Sequence, residues 1–251
     1  MTMLFLAAAL SVLIGLSLGL LGGGGSMLTV PILIYVLGVE PKSAIATSLL
    51  VVGVTSAVGV ISHARAGRVQ LRTGLLFGVA GMAGAYVGGR VAHFLPARLL
   101  LLAFAAMMGV TAFAMLRGRG RPVDPVRPVA ALPVPRVLLQ GAAVGAVTGL
   151  VGAGGGFLVV PALALLGGLP MAIAVGTSLL VIAMQSLAGF AGYLGHVAID
   201  LRLAGLVVGA AIVGILIGGQ LAGHVPQQAL RKAFGWFVLA MAIFLVGKQI
   251  F

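Results

Sequence analysis

Cysteine is absent from this 251-residue chain, and only three carboxylates are present: Glu40, Asp124 and Asp200. Without thiols there are no disulfides, thiolate metal sites or thiol relays. The carboxylates fall at or near the ends of apolar runs, and no run holds one at its centre. Many proton and sodium pumps place such a group inside the membrane, so that mechanism lacks its usual parts. Charged residues make up 7% of the chain, against about 25% in a soluble domain. So few charges cannot cover a water-exposed surface. With 61% hydrophobic residues and a mean hydropathy of +1.27, the chain reads as an integral membrane protein. The net charge of +12 does not point to nucleic acid, because Lys and Arg gather between apolar runs, where they set topology. Catalytic signatures are missing too: there is no His-Glu-x-x-His, Gly-x-Ser-x-Gly or Asp-rich metal motif. A non-enzyme without cofactor or metal is expected.

Glycine, by contrast, is abundant and organised. Gly22-Gly23-Gly24-Gly25-Ser26 leads to Val30-Pro31, and 130 residues later Gly152-Ala153-Gly154-Gly155-Gly156 leads to Val160-Pro161. At the same offset Thr47-Ser48-Leu49 matches Thr177-Ser178-Leu179, Leu71-Arg72 matches Leu201-Arg202, and Pro96 matches Pro226. Polar and special residues holding one register over so long a stretch imply a duplicated unit. Apolar runs are expected at about 3–37, 44–62, 73–93 and 98–116, then at 136–167, 172–194, 203–223 and 230–250. The fold expected is an all-α polytopic membrane protein. It has two pseudo-symmetric four-segment repeats, at 1–116 and 136–251. Each begins with a Gly-broken helix or a re-entrant hairpin, since its first run is too long for one span of about 20 residues. The first run starts at Met1 without a basic leader and has a counterpart in the second half, so it is assigned to the fold and not to a signal peptide. Between the halves, 117–135 is rich in Arg and Pro, which precludes a helix and suggests a flexible cytoplasmic linker.

Hairpins would invert the two halves, and full crossings would make them parallel. The linker side holds the larger share of Lys and Arg under either arrangement, so charge bias places the linker inside without choosing. Inversion is favoured by one asymmetry: Arg65, Arg68 and Arg72 crowd one loop, and its counterpart keeps only Arg202 beside Asp200.

Consecutive glycines cannot sustain a lipid-exposed helix, so each glycine segment should lie inside the bundle or line a cavity. Freed N–H groups there could face an anion; close helix packing explains the same glycines. Gly19 to Ser26 lacks the lysine of a phosphate-binding loop. Thr47, Ser48, Thr177 and Ser178 offer neutral donors to an oxyanion, or bond back to their own helix carbonyls. Gln185, a lone amide within an apolar run, either joins helices or contacts substrate. It stands at the position of Thr55, and Ser56 and Ser186 follow at matching positions. The substrate-binding candidates are thus Gly22, Gly23, Gly24, Gly25, Ser26, Thr47, Ser48, Gly152, Gly154, Gly155, Gly156, Thr177, Ser178 and Gln185. Glu40, His63, His196 and Asp200 are the candidates for gating or proton coupling, His63 and His196 ending corresponding runs three residues out of register. Gly15/Gly19, Gly84/Gly88, Gly145/Gly149 and Gly214/Gly218 have the spacing of close helix contacts.

The glycine segments with Val30-Pro31 and Val160-Pro161, together with Ala46-Thr47-Ser48-Leu49 and Gly176-Thr177-Ser178-Leu179, resemble the TauE/SafE family of sulfite and organosulfonate exporters over nearly the whole chain. The resemblance implies a bacterial inner-membrane transporter whose cargo is a sulfur oxyanion. The residues themselves support a two-repeat secondary transporter with a carboxylate-free centre, and a proton is the coupling ion they allow. A passive anion channel and a membrane assembly subunit are the alternatives. The oligomeric state is left open, a homo-oligomer included.

Overall fold

A computed structural model describes residues 2–23, 25–117, 134–151, 156–163, 169, 171–221 and scattered positions between 232 and 247. Most of the linker and of the run at 230–250 lies outside the described residues, as do Gly24, Gly152, Gly154 and Gly155. Every regular element among the described residues is helical: α1 (Thr2–Leu21), α2 (Ser26–Pro31), a π-helical turn (Ile32–Val36), α3 (Pro41–Arg65), α4 (Leu71–Ala92), α5 (Ala97–Arg117), α6 (Val134–Val151), α7 (Gly156–Pro161), α8 (Met171–Tyr193) and α9 (Leu201–Leu221). Four helical stretches, Pro41–Arg65, Leu71–Ala92, Ile173–Tyr193 and Leu201–Leu221, are long and apolar enough to cross a membrane. Shorter apolar helical stretches cover Leu6–Leu20, Ala97–Val110 and Val137–Val151.

The first apolar run is divided where the glycines stand. Gly22 takes φ +70°, a left-handed conformation that glycine adopts without steric cost. Its N–H donates to the Leu18 carbonyl at 2.8 Å and closes the last turn of α1. The chain then turns back, and Gly25 lies against the Ile14 carbonyl and the Leu18 side chain. Pro31 ends α2, and the wider π-helical turn starts at the next residue. Proline supplies no N–H to the ladder and crowds the preceding turn, so a change of helical pitch at this point has a local cause.

Close contacts between helices set their directions. Gly15 and Gly19 of α1 rest on the Ala211 and Ile215 carbonyls of α9. Gly145 and Gly149 of α6 rest on the Gly81 and Ala85 carbonyls of α4. A Cβ at any of these four glycines would overlap backbone, which is why larger residues are excluded there. In both pairs sequence numbers rise together, so the helices are parallel. Gly74, Gly78 and Gly89 of α4 meet Thr177, Met184 and Gly189 of α8, again parallel. Gly53 and Gly59 of α3 meet Leu187 and Leu179 of α8, an antiparallel crossing. Gly59 also meets Ile215, and the atom nearest a Cβ at Gly219 is His63 Nε2, so α3 runs with α9. Helices α1, α3 and α9 therefore point one way, and α4, α6 and α8 point the other. Consequently α1 and α6, the first helices of the two halves, run in opposite directions.

The inner packing joins both halves. Met27, Val30, Ile45 and Leu49 cluster with Leu100, Phe104 and Met108 of α5 and with Tyr193 of α8. Leu75, Val79 and Val87 on α4 and Val213 and Ile217 on α9 are exposed. Such faces suit a lipid surround, where apolar side chains carry no penalty.

Candidate functional site

Among the described residues no Lys, Arg, Asp or Glu is buried; the buried polar side chains are hydroxyls, Gln185 and His63. The hydroxyls divide by whether they have a partner. Ser26 donates to the Gly23 carbonyl at 2.7 Å and Thr29 to the Gly25 carbonyl at 3.2 Å, so both brace the turn between α1 and α2.

The Thr-Ser step of α8 ties the halves together. Ser178 Oγ lies 2.9 Å from the Gly22 carbonyl and 2.7 Å from its own helix carbonyl at Val175. The Thr177 hydroxyl accepts the Gln70 N–H at 2.9 Å, just ahead of α4. The back-bond to the helix is thus made by Ser178, together with a contact across the bundle that the sequence did not suggest. Thr47 and Ser48 are buried on α3. Gly156 begins α7, whose six residues end at Pro161 as α2 ends at Pro31.

A second group has no partner. Thr55, Ser56, Gln185 and Ser186 are fully buried, and their side-chain polar atoms make no hydrogen bond. The Gln185 amide lies against Gly81 of α4, in the space a Cβ there would take. Ser186 faces Gly53 of α3. The paired matches Thr55/Gln185 and Ser56/Ser186 were the sequence signal for this group; that they lack partners follows only from packing.

The four titratable candidates are not brought together. Glu40 accepts from the Lys42 and Ser43 N–H groups at 3.3 and 3.1 Å, capping α3. Asp200 accepts from the Arg202 and Leu203 N–H groups at 2.9 and 3.1 Å, capping α9. Exposed His196 stacks on His93, with ring centroids 4.4 Å apart. His63 alone of the four is buried, and neither ring nitrogen has a hydrogen-bond partner. Because α3 and α8 are antiparallel, His63 and His196 lie at opposite ends of the bundle. The residue 130 positions after His63 is Tyr193, whose hydroxyl donates to the Leu150 carbonyl at 2.9 Å. Strict register would have found this counterpart, which a search for matching histidines passes over.

Known proteins give the chain a family and the name of a membrane transporter. The sequence profile of the sulfite exporter TauE/SafE family matches residues 7–245. A "probable membrane transporter protein" of Xylella fastidiosa (strain 9a5c) is 35% identical over 244 residues, covering 94% of this chain and 92% of the relative. The "probable membrane transporter protein YdhB" of Bacillus subtilis (strain 168) is 27% identical, covering 88% and 91%. No solved structure matches. These relatives are named as transporters and not as enzymes. With nearly its whole length matched, the chain belongs to the sulfite exporter TauE/SafE family of membrane transporters.

Proposed function

We propose that the protein is a secondary transporter that exports a small anion, sulfite or an organosulfonate, by alternating access. One observation carries this reading: Ser178 of the second half is fastened to the Gly22 carbonyl of the first half. A relative movement of the halves would therefore pull directly on the glycine turn. Several features support such a movement. The contacts of Gly15 and Gly19 with α9 recur, 130 residues on, in the contacts of Gly145 and Gly149 with α4. Opposed directions of α1 and α6 fit a duplicated unit with inverted topology, the architecture in which half-helices and a central site serve alternating access.

In this reading Gly22, Gly23 and Gly25 are part of the solute path, and the candidates Gly24 and Gly152–Gly155 lie outside the described residues. Thr47, Ser48, Thr177 and Ser178 hold the closed state and donate to the anion when released. The linker and the Arg65, Arg68 and Arg72 loop lie at the end where α6 begins, which charge bias assigns to the cytoplasm of a bacterial inner membrane. His63, buried at that end with Arg68 donating its N–H to the His63 carbonyl at 2.9 Å, is the residue through which a proton would couple. Sulfite uptake into inverted vesicles tests the proposal: the double variant Thr47→Ala, Thr177→Ala should lose most of its rate, and an unchanged rate would refute the assignment.

A further inference from the structure

Hydroxyls and amides buried in a membrane protein are ordinarily paired, because no water reaches them there. Thr55, Ser56, Gln185 and Ser186 depart from that rule together. They are two consecutive residues of α3 and their two counterparts, 130 positions on, in α8. The contacts of Gly53 with Leu187 and of Gly59 with Leu179 set the antiparallel register of these helices. In that register 55–56 and 185–186 share one level of the bundle, where α3 crosses α8. The room for the long side chain is also provided for. Gln185 packs on Gly81, and the positions related to this pair hold the shorter Thr55 and the larger Ala211.

The level is electrically neutral. No Lys, Arg, Asp or Glu is buried among the described residues. His63 and Tyr193, the buried ionisable groups, stand seven residues further along their helices, about 10 Å away at the helical rise. Donors are plentiful: three hydroxyls and the two N–H bonds of the Gln185 amide.

We propose that Thr55, Ser56, Gln185 and Ser186 bind a singly charged oxyanion at the crossing of α3 and α8. This rests on the anion-transport reading above and adds the charge state of the cargo. One charge spread over several oxygens is offset by neutral donors that would otherwise remain unpaired. A second charge would meet no buried cation, and its desolvation would go uncompensated. Hydrogen sulfite and sulfonates fit; sulfate, a dianion of similar size, does not. Neutral donors also hold the solute weakly enough to release it on the other side.

Thermal unfolding of the full-length protein in detergent tests this, with methanesulfonate and sulfate as probes. Wild type is compared with Thr55→Val and Gln185→Leu. Each substitution removes an unpaired buried polar group and keeps the volume, so both variants should melt above wild type without ligand. Methanesulfonate should raise the wild-type midpoint and leave both variants unmoved, and sulfate should leave all three unmoved. Variants that melt below wild type, or that still respond to methanesulfonate, overturn the site. A wild type that responds equally to sulfate overturns the charge assignment. If wild type transports sulfite and both variants do so at its rate, the site fails and the transport reading stands. If wild type neither responds to methanesulfonate or hydrogen sulfite nor transports, both fail.

Discussion

Ser178 of α8 reaches the carbonyl of Gly22, a residue of the other half of the chain, at 2.9 Å. The same hydroxyl lies 2.7 Å from Val175 O, so one proton is shared between a helix carbonyl and the turn that ends α1. An added Cβ at Gly22 would come within 2.9 Å of Ser178 Oγ, and the glycine is what lets this contact form. Ser178→Ala should lower stability by about 1 kcal/mol, the usual net worth of one buried hydrogen bond. Transport should fall more than stability accounts for, because the fastening of turn to opposite half is lost. A melting curve and a vesicle uptake assay on one preparation check both parts.

The glycines of the helix contacts should differ sharply from glycines on open faces. Gly15→Ala or Gly145→Ala drives a methyl onto a neighbouring helix backbone and should destabilise by about 1–3 kcal/mol, the range for overpacking. Gly205 and Gly209 of α9 have nothing near enough to meet a Cβ. Alanine there should be neutral or stabilising by up to about 1 kcal/mol, since glycine weakens a helix interior. Yield and melting temperature in detergent separate the two classes.

Asp200 and Glu40 cap α9 and α3 from exposed positions. Asp200→Ala should cost about 1 kcal/mol, as for a lost N-cap. Its transport should keep the wild-type response to an imposed pH gradient, and His63→Gln should lose that response. A pH-gradient uptake series on the two variants decides which residue handles protons.

The antiparallel crossing of α3 and α8 predicts that their ends are reached from different membrane faces. The absence of cysteine makes single-cysteine labelling clean. Arg65→Cys and the linker substitution Arg121→Cys should react from one face, and Leu194→Cys, exposed just after α8, from the other. Labelling of positions 65 and 194 from the same face would mean parallel halves.

Much of this arrangement can be read from the chain itself. Helix α3 was expected at 44–62 and runs Pro41–Arg65, and α9 was expected at 203–223 and runs Leu201–Leu221, because apolar length is written in composition. The end of α1 at Leu21 is also legible, since consecutive glycines weaken a helix. The direction of α6 was only hinted at, by the basic loop of Arg65, Arg68 and Arg72 against its counterpart with Arg202, because total Lys and Arg divide the same way under both topologies; it depends on which backbone Gly145 touches. The site shows the same limit. Ser178 and Ser186 look alike along the chain, yet one is hydrogen-bonded and the other is not, a difference made by neighbouring helices. His63 and Tyr193 share a register position but no chemistry, so only the offset relates them. The caps could have been read: Glu40 stands before Pro41, and proline is favoured at the first position of a helix.

Counterflow in proteoliposomes tests the central claim most directly. Vesicles holding purified protein are loaded with unlabelled sulfite, and entry of external radiolabelled sulfite is followed. Secondary transport by alternating access predicts transient accumulation of label above equilibrium, with a rate that saturates in external sulfite. Linear, non-saturating entry without overshoot would show a channel, and no entry at all would contradict anion transport altogether.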